Sequence, residues 1–267
     1  MKKVAVLQSN YIPWKGYFDI IHDVDEFIFY DEVQFTKNDW RNRNKIITPQ
    51  GAIWLTVPVG MNKIHRLIVE VQIKNFAWQR KHFQTLQMAY HKSPHFKEYE
   101  EFLRYVYLEK TWDYLYELNR YLIEHISRDF LGITTKFSDS RDYQTHGAKH
   151  EKLLSLVKAA GADLYVSGPA AKDYIIAEDY ERENIQLVWK DYSHYPEYPQ
   201  RGENFNHYVS ILDLLFNVGK NAPQYIWGGD NFRTCILAIL YIGILSGDTR
   251  RYSILFPSTK KIRRAIL

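Results

Sequence analysis

Cysteine is almost missing. One residue, Cys235, stands among 267, so no disulfide can close within the chain and no CxxC or other cysteine-rich zinc pattern exists. Cys235 lies in an apolar run, where the thiol reads as a small buried hydrophobe rather than a nucleophile. Long hydrophobic runs are missing too. The longest, Cys235 to Leu245, falls well short of the roughly 20 residues that cross a bilayer. The apolar part of Met1–Leu7 is too short for a signal peptide. These absences lead to the expectation of a cytoplasmic protein with no transmembrane segment. Internal repeats and low-complexity linkers are absent. So are the GxGxxG and Walker patterns that mark the standard dinucleotide and P-loop sites, and HExxH and GxSxG.

The rest of the composition is that of a globular chain: 46% hydrophobic and 25% charged residues, enough for a sizeable core without metals or disulfides. The net charge of +4 suits an anionic ligand and makes no demand for DNA. Aromatic residues are abundant, with 21 Tyr and 7 Trp. Such rings offer wide, stiff contact surfaces with a polar tip; most of them are expected to cover core edges.

Apolar Val4–Leu7 reads as a buried strand, Tyr17–Val24 as a short amphipathic helix and Glu26–Tyr30 as a second strand. Strand, helix, strand predicts parallel pairing, with ligands bound beyond the carboxyl ends, where Gln8 and Asp31 lie. Ile46–Ile47 and Ile53–Val57 predict a hairpin around Pro49-Gln50-Gly51. Alternation over Leu67–Ile73 predicts a half-buried strand. Helical spacing predicts helices over 78–90, 97–108 and 112–131, the last stopped at Gly132. Helices are further predicted over 150–160, 170–176 and 210–216, with strands over 163–167 and 185–189. The expected fold class is therefore α/β: a mostly parallel, Rossmann-like sheet with a helical insertion at about 77–131. The expected organisation is one such domain over 1–220, followed by an extension over 221–267. That tail carries the apolar run and the basic Lys260-Lys261-Ile262-Arg263-Arg264. Packing on the domain, homodimerisation and contact with a membrane surface are all open to it.

The densest chemistry is in Gln8–Lys45. There Gln8, Tyr11, Trp14, Lys15, Gly16 and Tyr17 are followed by Asp31, Gln34, Lys37 and the run Trp40-Arg41-Asn42-Arg43-Asn44. Amides, guanidinium groups and a carboxylate beside rigid rings suit a pocket with an apolar body and a few polar anchors. Lys15 and the Gly16 backbone, at a helix start, suit a phosphate. The alternative for this turn is a structural role. Arg41 and Arg43 offer forks for phosphate. Asp31 is the carboxylate best placed for proton transfer, with a structural salt bridge to Arg41 or Arg43 as its alternative. Trp78 and His82 share a helical face, and His82 is the histidine best suited to proton transfer. Ser167-Gly168-Pro169 is a strand-to-helix turn, with Lys172 just beyond it. Tyr198 and Gln200 complete the candidates. His146 and His150 share a helical spacing, yet no carboxylate accompanies them, so no metal site is expected.

Six blocks carry a resemblance: Gln8–Phe18, Asp31–Asn44, Trp78–His82, Tyr165–Pro169, Tyr198–Gln200 and Val209–Gly219. In this order they resemble the WbqC-like family of bacterial proteins encoded among surface-polysaccharide genes. Ser9 stands where the family usually has Pro, and Glu32 replaces a second Asp; the tail after Lys220 has no counterpart. The resemblance implies a nucleotidyltransferase-like fold and a role in O-antigen or capsule synthesis, with acyl transfer, glycyl transfer among the options, to the amine of a nucleotide-linked amino sugar. On that reading Lys15, Arg41, Arg43 and Lys172 hold phosphates, Trp14, Trp40 and Tyr17 stack on base or sugar, and Asp31 or His82 moves the proton. The donor would be ATP-activated, with Mg²⁺, or an aminoacyl-tRNA. A non-catalytic glycan-binding protein and a nucleotidyltransferase are the rival classes.

Overall fold

Five parallel strands form the centre of the molecule: β1 (Lys3–Leu7), β2 (Glu26–Phe29), β5 (Lys136–Asp139), β6 (Leu164–Ser167) and β7 (Gln186–Trp189). They lie in the order β5-β2-β1-β6-β7. Taken in chain order these are strands 3-2-1-4-5, the arrangement of a doubly wound sheet. The three central strands read as apolar runs because both of their faces are covered. Every residue of β2 and β6 is buried.

The structure is a computed structural model that describes residues 1–60, 66–202 and 204–228. Helix α1 (Lys15–His22) links β1 to β2. Its Tyr17 ring packs on Phe27 with centroids 5.6 Å apart, on the face of β2 that also carries Phe29. The opposite face buries Val4, Val6 and Ile28 against Leu153, Leu156 and Val157 of α5 (His150–Ala159). Tyr180 of α6 (Ala177–Arg182) joins the same layer and stacks on Tyr165. The sheet is therefore sandwiched between helices.

The connection from β2 to β5 is long. It contains the antiparallel hairpin of β3 (Arg43–Thr48) and β4 (Gly51–Thr56). Helices α2 (Ala77–Tyr90), α3 (Glu100–Arg104) and α4 (Leu115–His125) follow. Wide π-type turns extend α3 over Tyr105–Glu109 and α4 over Ile126–Phe130. Gly132 then takes φ +68°, the left-handed stop its position predicted. Helix α7 (Ile211–Val218) ends at Gly219, φ +57°, and runs into a 3-10 helix over Gly219–Tyr225.

Two expectations are corrected and one element is new. Leu67–Ile73 is not a strand. The Glu70 carboxylate accepts the Leu67 N–H at 2.9 Å and closes a 3-10 turn over Ile68–Glu70, leaving only isolated bridges on either side. The helix expected over 170–176 is a 3-10 turn, Pro169–Asp173, and the true helix is α6, just beyond it. Finally, β5 has no counterpart in the sequence reading.

Met1–Ile226 form one compact unit. The second unit, Trp227–Leu267, lies beyond the described residues apart from Trp227 and Gly228. Cys235, the apolar run and the basic cluster of the tail thus fall outside the described residues. No described helix is long and apolar enough to cross a membrane.

Candidate functional site

Strands β1, β2 and β6 end side by side. The segments leaving them border a cleft of about 740 Å³, within the roughly 300–1,000 Å³ usual for small-ligand sites. Val6, Leu7 and Gln8 reach it from β1, Ser167 and Gly168 from β6, and Tyr30, Glu32, Val33 and Gln34 from the end of β2. It sits where the chain reverses its direction across the sheet, between β1 and β6, which is where open α/β sheets bind ligands.

Charge is unevenly distributed around this cleft. Among the described residues, Arg41, Lys149 and Lys152 line it against one carboxylate, that of Glu32. The Lys152 ammonium lies 3.7 Å from Glu32 Oε2, and the Ser140 hydroxyl donates to the same oxygen at 3.1 Å. Arg41 is held from two sides: Nη1 donates to Asp39 at 2.8 Å and Nη2 to the Gln8 side-chain oxygen. Its Nε is buried and has no partner among the described residues. Burial, reinforced by Glu32, pushes the Tyr30 hydroxyl up to about 12, so Tyr30 remains a neutral donor. Gly147, at φ +79°, turns the chain into the cleft ahead of α5; a Cβ there would fall 2.6 Å from Glu151 Cβ.

The loops on the β1 side are held by buried polar groups. Asp31 has no exposed surface. Its Oδ1 accepts the Ser9 N–H at 2.8 Å, and its Oδ2 pairs with Arg120 Nε at 2.9 Å. Arg120 also pairs with Asp139 of β5. Burial pushes the Asp31 carboxyl up from its ordinary range, against the opposing pull of Arg120 and the Ser9 N–H. Next to Arg120, Asn119 donates to the Ser9 and Arg41 carbonyls at 3.3 and 2.8 Å. Asn44 donates to the carbonyls of Tyr11 and Ile12 at 3.1 and 2.8 Å. That clamp holds Ile12 at φ +36°, a backbone state β-branched residues seldom adopt.

The structure thus separates the expected site residues into groups. Gln8, Gln34, Arg41, Ser167 and Gly168 line the cleft. Trp14, Trp40 and Asn44 line a smaller pocket of about 230 Å³, with Asn10, Pro13 and Tyr208. Tyr17 is buried and donates to the Gln8 carbonyl at 2.9 Å. Asn42 is buried and donates to the Val57 carbonyl at 3.0 Å. Gly16 is buried under the Trp14 ring, whose atoms would lie 2.3 Å from an added Cβ. Lys37 is exposed, Arg43 lies over the Trp54 ring at 4.1 Å, and Lys172 lies over Trp189 at 5.6 Å.

Five further candidates, Lys15, Tyr11, His82, Tyr198 and Gln200, stand away from the cleft lining, all but Gln200 buried. Lys15 is 2% exposed and donates to the carbonyls of Pro196 and Tyr225 at 3.1 and 3.2 Å. Burial draws its ammonium down to about 8, with Asp19 opposing. His82 Nδ1 shares a hydrogen bond of 2.9 Å with the Tyr11 hydroxyl, which also meets Tyr107 at 2.6 Å. Burial draws His82 down to about 4. Tyr198 and Gln200 both donate to buried Asp213, at 2.7 and 2.6 Å, and Tyr90 donates to its other oxygen at 2.7 Å. Of the helical histidines, His150 pairs with Asp179 at 2.9 Å.

Sequence reasoning missed Tyr30, Glu32, Lys149, Lys152 and Tyr174 at the cleft, and Asn119 and Arg120 behind it. A signal existed for Asn119. It falls on the buried stripe of Leu115, Leu118, Leu122 and Ile123, where an amide must find partners.

Fold and cleft together define a doubly wound α/β protein with a mainly cationic cleft at the switch point of its sheet. The chain belongs to the WbqC-like protein family, which it matches over residues 8–225. It is also 46% identical over 227 residues to the uncharacterized protein Rv1507c of Mycobacterium tuberculosis, covering 85% of this chain and 98% of that protein. No solved structure matches it.

Proposed function

We propose that the cleft binds a nucleotide-linked amino sugar and that the protein acylates the sugar's amine, glycyl transfer being the first case to test. One observation carries this reading: three cations and one carboxylate converge on a switch-point cleft large enough for such a ligand. Arg41, Lys149 and Lys152 neutralise the diphosphate. Ser167 and the Gln8 and Gln34 amides orient hydroxyl groups. In the reaction the amine nitrogen attacks the donor's acyl carbon, a C–N bond forms, and the bond to the leaving group breaks with its electron pair. The nitrogen sheds one proton, and Glu32 is the carboxylate in reach of the cleft to accept it. Asp31 and His82, buried behind the loops, act here as positioning residues. Family membership supports a place in surface-polysaccharide synthesis, O-antigen or capsule, and cytoplasmic nucleotide sugars fit that setting.

A second reading, binding without chemistry, draws on the same geometry. Both residues first suited to proton transfer lie away from the cleft, which leaves Glu32 as its one carboxylate among the described residues.

Mass spectrometry decides between the two. The full chain is incubated with a nucleotide-linked 4-amino-4,6-dideoxy sugar, in one tube with glycine, ATP and Mg²⁺ and in another with glycyl-tRNA. A sugar heavier by one glycyl residue is expected, and Glu32→Gln abolishes the gain without abolishing binding. Unchanged sugar in both tubes, with binding demonstrated, overturns glycyl transfer and favours the second reading. Pyrophosphate release from a nucleoside triphosphate and a sugar phosphate would point to a nucleotidyltransferase instead.

A further inference from the structure

The smaller pocket differs in chemistry from the cleft. It is lined by Asn10, Pro13, Trp14, Trp40, Asn44 and Tyr208, with no charged side chain among them. Its volume of about 230 Å³ is below the usual range for whole ligands and suits a single ring. The two sites are neighbours along the chain on both of their shared segments. Gln8 and Arg41 face the cleft, whereas Asn10 and Trp40 face the pocket. The Tyr11 N–H to Trp40 carbonyl bond, 2.9 Å, ties the two segments together.

The aromatic walls are fixed in place and only partly covered. Trp14 packs edge-on against Tyr192 and Tyr195, with centroids 5.1 and 5.9 Å away, and lies over Gly16. Trp40 is 39% exposed and Tyr208 64% exposed, although burial of both would be favourable. Trp14 and Tyr208 already touch, with centroids 5.3 Å apart and planes 35° from parallel, so no gap between them admits a flat base. Both rings line the pocket. Asn10 Oδ1 is buried and has no hydrogen-bond partner among the described residues. A buried acceptor left in that state is destabilising, and a ligand O–H would satisfy it. Asn44, by contrast, is fully used by the backbone around it.

We infer that this pocket is a binding site for one uncharged pyranose ring, separate from the anionic site in the cleft. The C–H face of a pyranose lies against an aromatic plane, and its hydroxyl groups supply the donor that Asn10 lacks. Among the described residues no cation lines the pocket, so nothing described there favours phosphate as the feature recognised. The ring belongs to a neutral saccharide, free or at the end of a glycan.

The test is saturation-transfer NMR on the full chain with methyl glycosides of the common hexoses and 6-deoxyhexoses, with adenosine and uridine as parallel probes. Saturation is expected on ring C–H protons of at least one glycoside. Trp40→Ala and Tyr208→Ala each weaken that binding at least ten-fold, and Lys152→Ala in the cleft leaves it unchanged. Both aromatic positions are exposed, so the thermal midpoints of these variants should match the parent and show that they fold. No transfer to any glycoside overturns the inference, as does transfer that survives both aromatic substitutions. So does binding of nucleosides alone that Tyr208→Ala removes. Loss of nucleotide binding in Lys152→Ala with glycoside binding intact separates this inference from the reading of the cleft.

Discussion

Replacing Glu26 with Gln tests the electrostatics of the sheet away from any ligand. Glu26 begins β2, at the end of the sheet opposite the cleft, and is 1% exposed. Lys2, just before β1, pairs with its Oε2 at 2.7 Å, and Lys136 of β5 pairs with its Oε1 at 2.8 Å. Tyr143 donates to Oε1 at 2.6 Å and Ser138 donates to the same oxygen. One carboxylate therefore joins three strands. Burial alone would raise its pKa, but Lys136, Lys2, Ser138 and Tyr143 together outweigh burial and draw it from 4.5 to about 2. At about 1.4 kcal/mol per pK unit, a shift of that size corresponds to roughly 3 kcal/mol. The lysine heads are 39% and 68% exposed, and solvent screening of them reduces the expected contribution to about 2 kcal/mol.

The sign follows from proton uptake. Between the folded value of about 2 and the unfolded 4.5, the unfolded chain binds the extra proton, so stability rises with pH through that window. Glu26→Gln should thus unfold about 2 kcal/mol more easily than the parent at pH 7. The gap should narrow below pH 4.5 and close as the pH nears 2. Urea unfolding followed by tryptophan fluorescence at several pH values measures it. A gap that stays constant across this range, or one below about 0.5 kcal/mol at pH 7, would refute the assignment of the stabilisation to the carboxylate's charge.

Arg120→Met leaves Asp31 buried and unpaired, at an expected cost of about 3–5 kcal/mol; adding Asp31→Asn should recover part of it, as read from denaturant midpoints. His82, held down to about 4, should show no titration of its ring protons by NMR between pH 5 and 8. The unfolded chain takes up that proton below about 6.5, so His82 contributes stability that is present above that pH and lost as the pH falls toward 4. Lys149→Ala and Lys152→Ala should each weaken nucleoside diphosphate binding several-fold at low salt, with the deficit shrinking as ionic strength rises; calorimetric titrations at two salt concentrations check this.

The parallel core was readable because Val4–Leu7 and Phe27–Phe29 are apolar runs, and buried parallel strands are made of such runs. The edge strand β5 was not. Lys136–Asp139 contains one apolar residue, Phe137, and none of its residues is fully buried, so its only signature is the pairing with β2. Leu67–Ile73 shows the reverse: its alternation is genuine, but its N–H groups are spent one at a time on Val33, Asp31 and Asp113, and no ladder forms. At the site, the sequence put Gln8 and Asp31 beyond the carboxyl ends of the first two strands; Gln8 lines the cleft, whereas Asp31 is buried behind it on Ser9 and Arg120. The sequence could not tell which polar residues face the cleft and which fix its loops. Asp31 and Arg120 meet only through the fold, as do Glu32 and Lys152. Lys15 looked like a phosphate ligand because its neighbours Pro196 and Tyr225 are far along the chain.

The long connection from β2 to β5 has a consequence for synthesis on the ribosome. Once β1, α1 and β2 have emerged, the Glu26–Phe29 strand has β1 on one side and an open edge on the other. Its second partner is not made until the hairpin and the α2–α4 region have left the exit tunnel. Nascent chains therefore carry an uncovered strand edge, apolar from Phe27 to Phe29, for much of their translation, the condition that favours intermolecular pairing. Slowing translation after α4, or depleting chaperones that shield nascent chains, should lower soluble yield far more than it alters the stability of the finished protein.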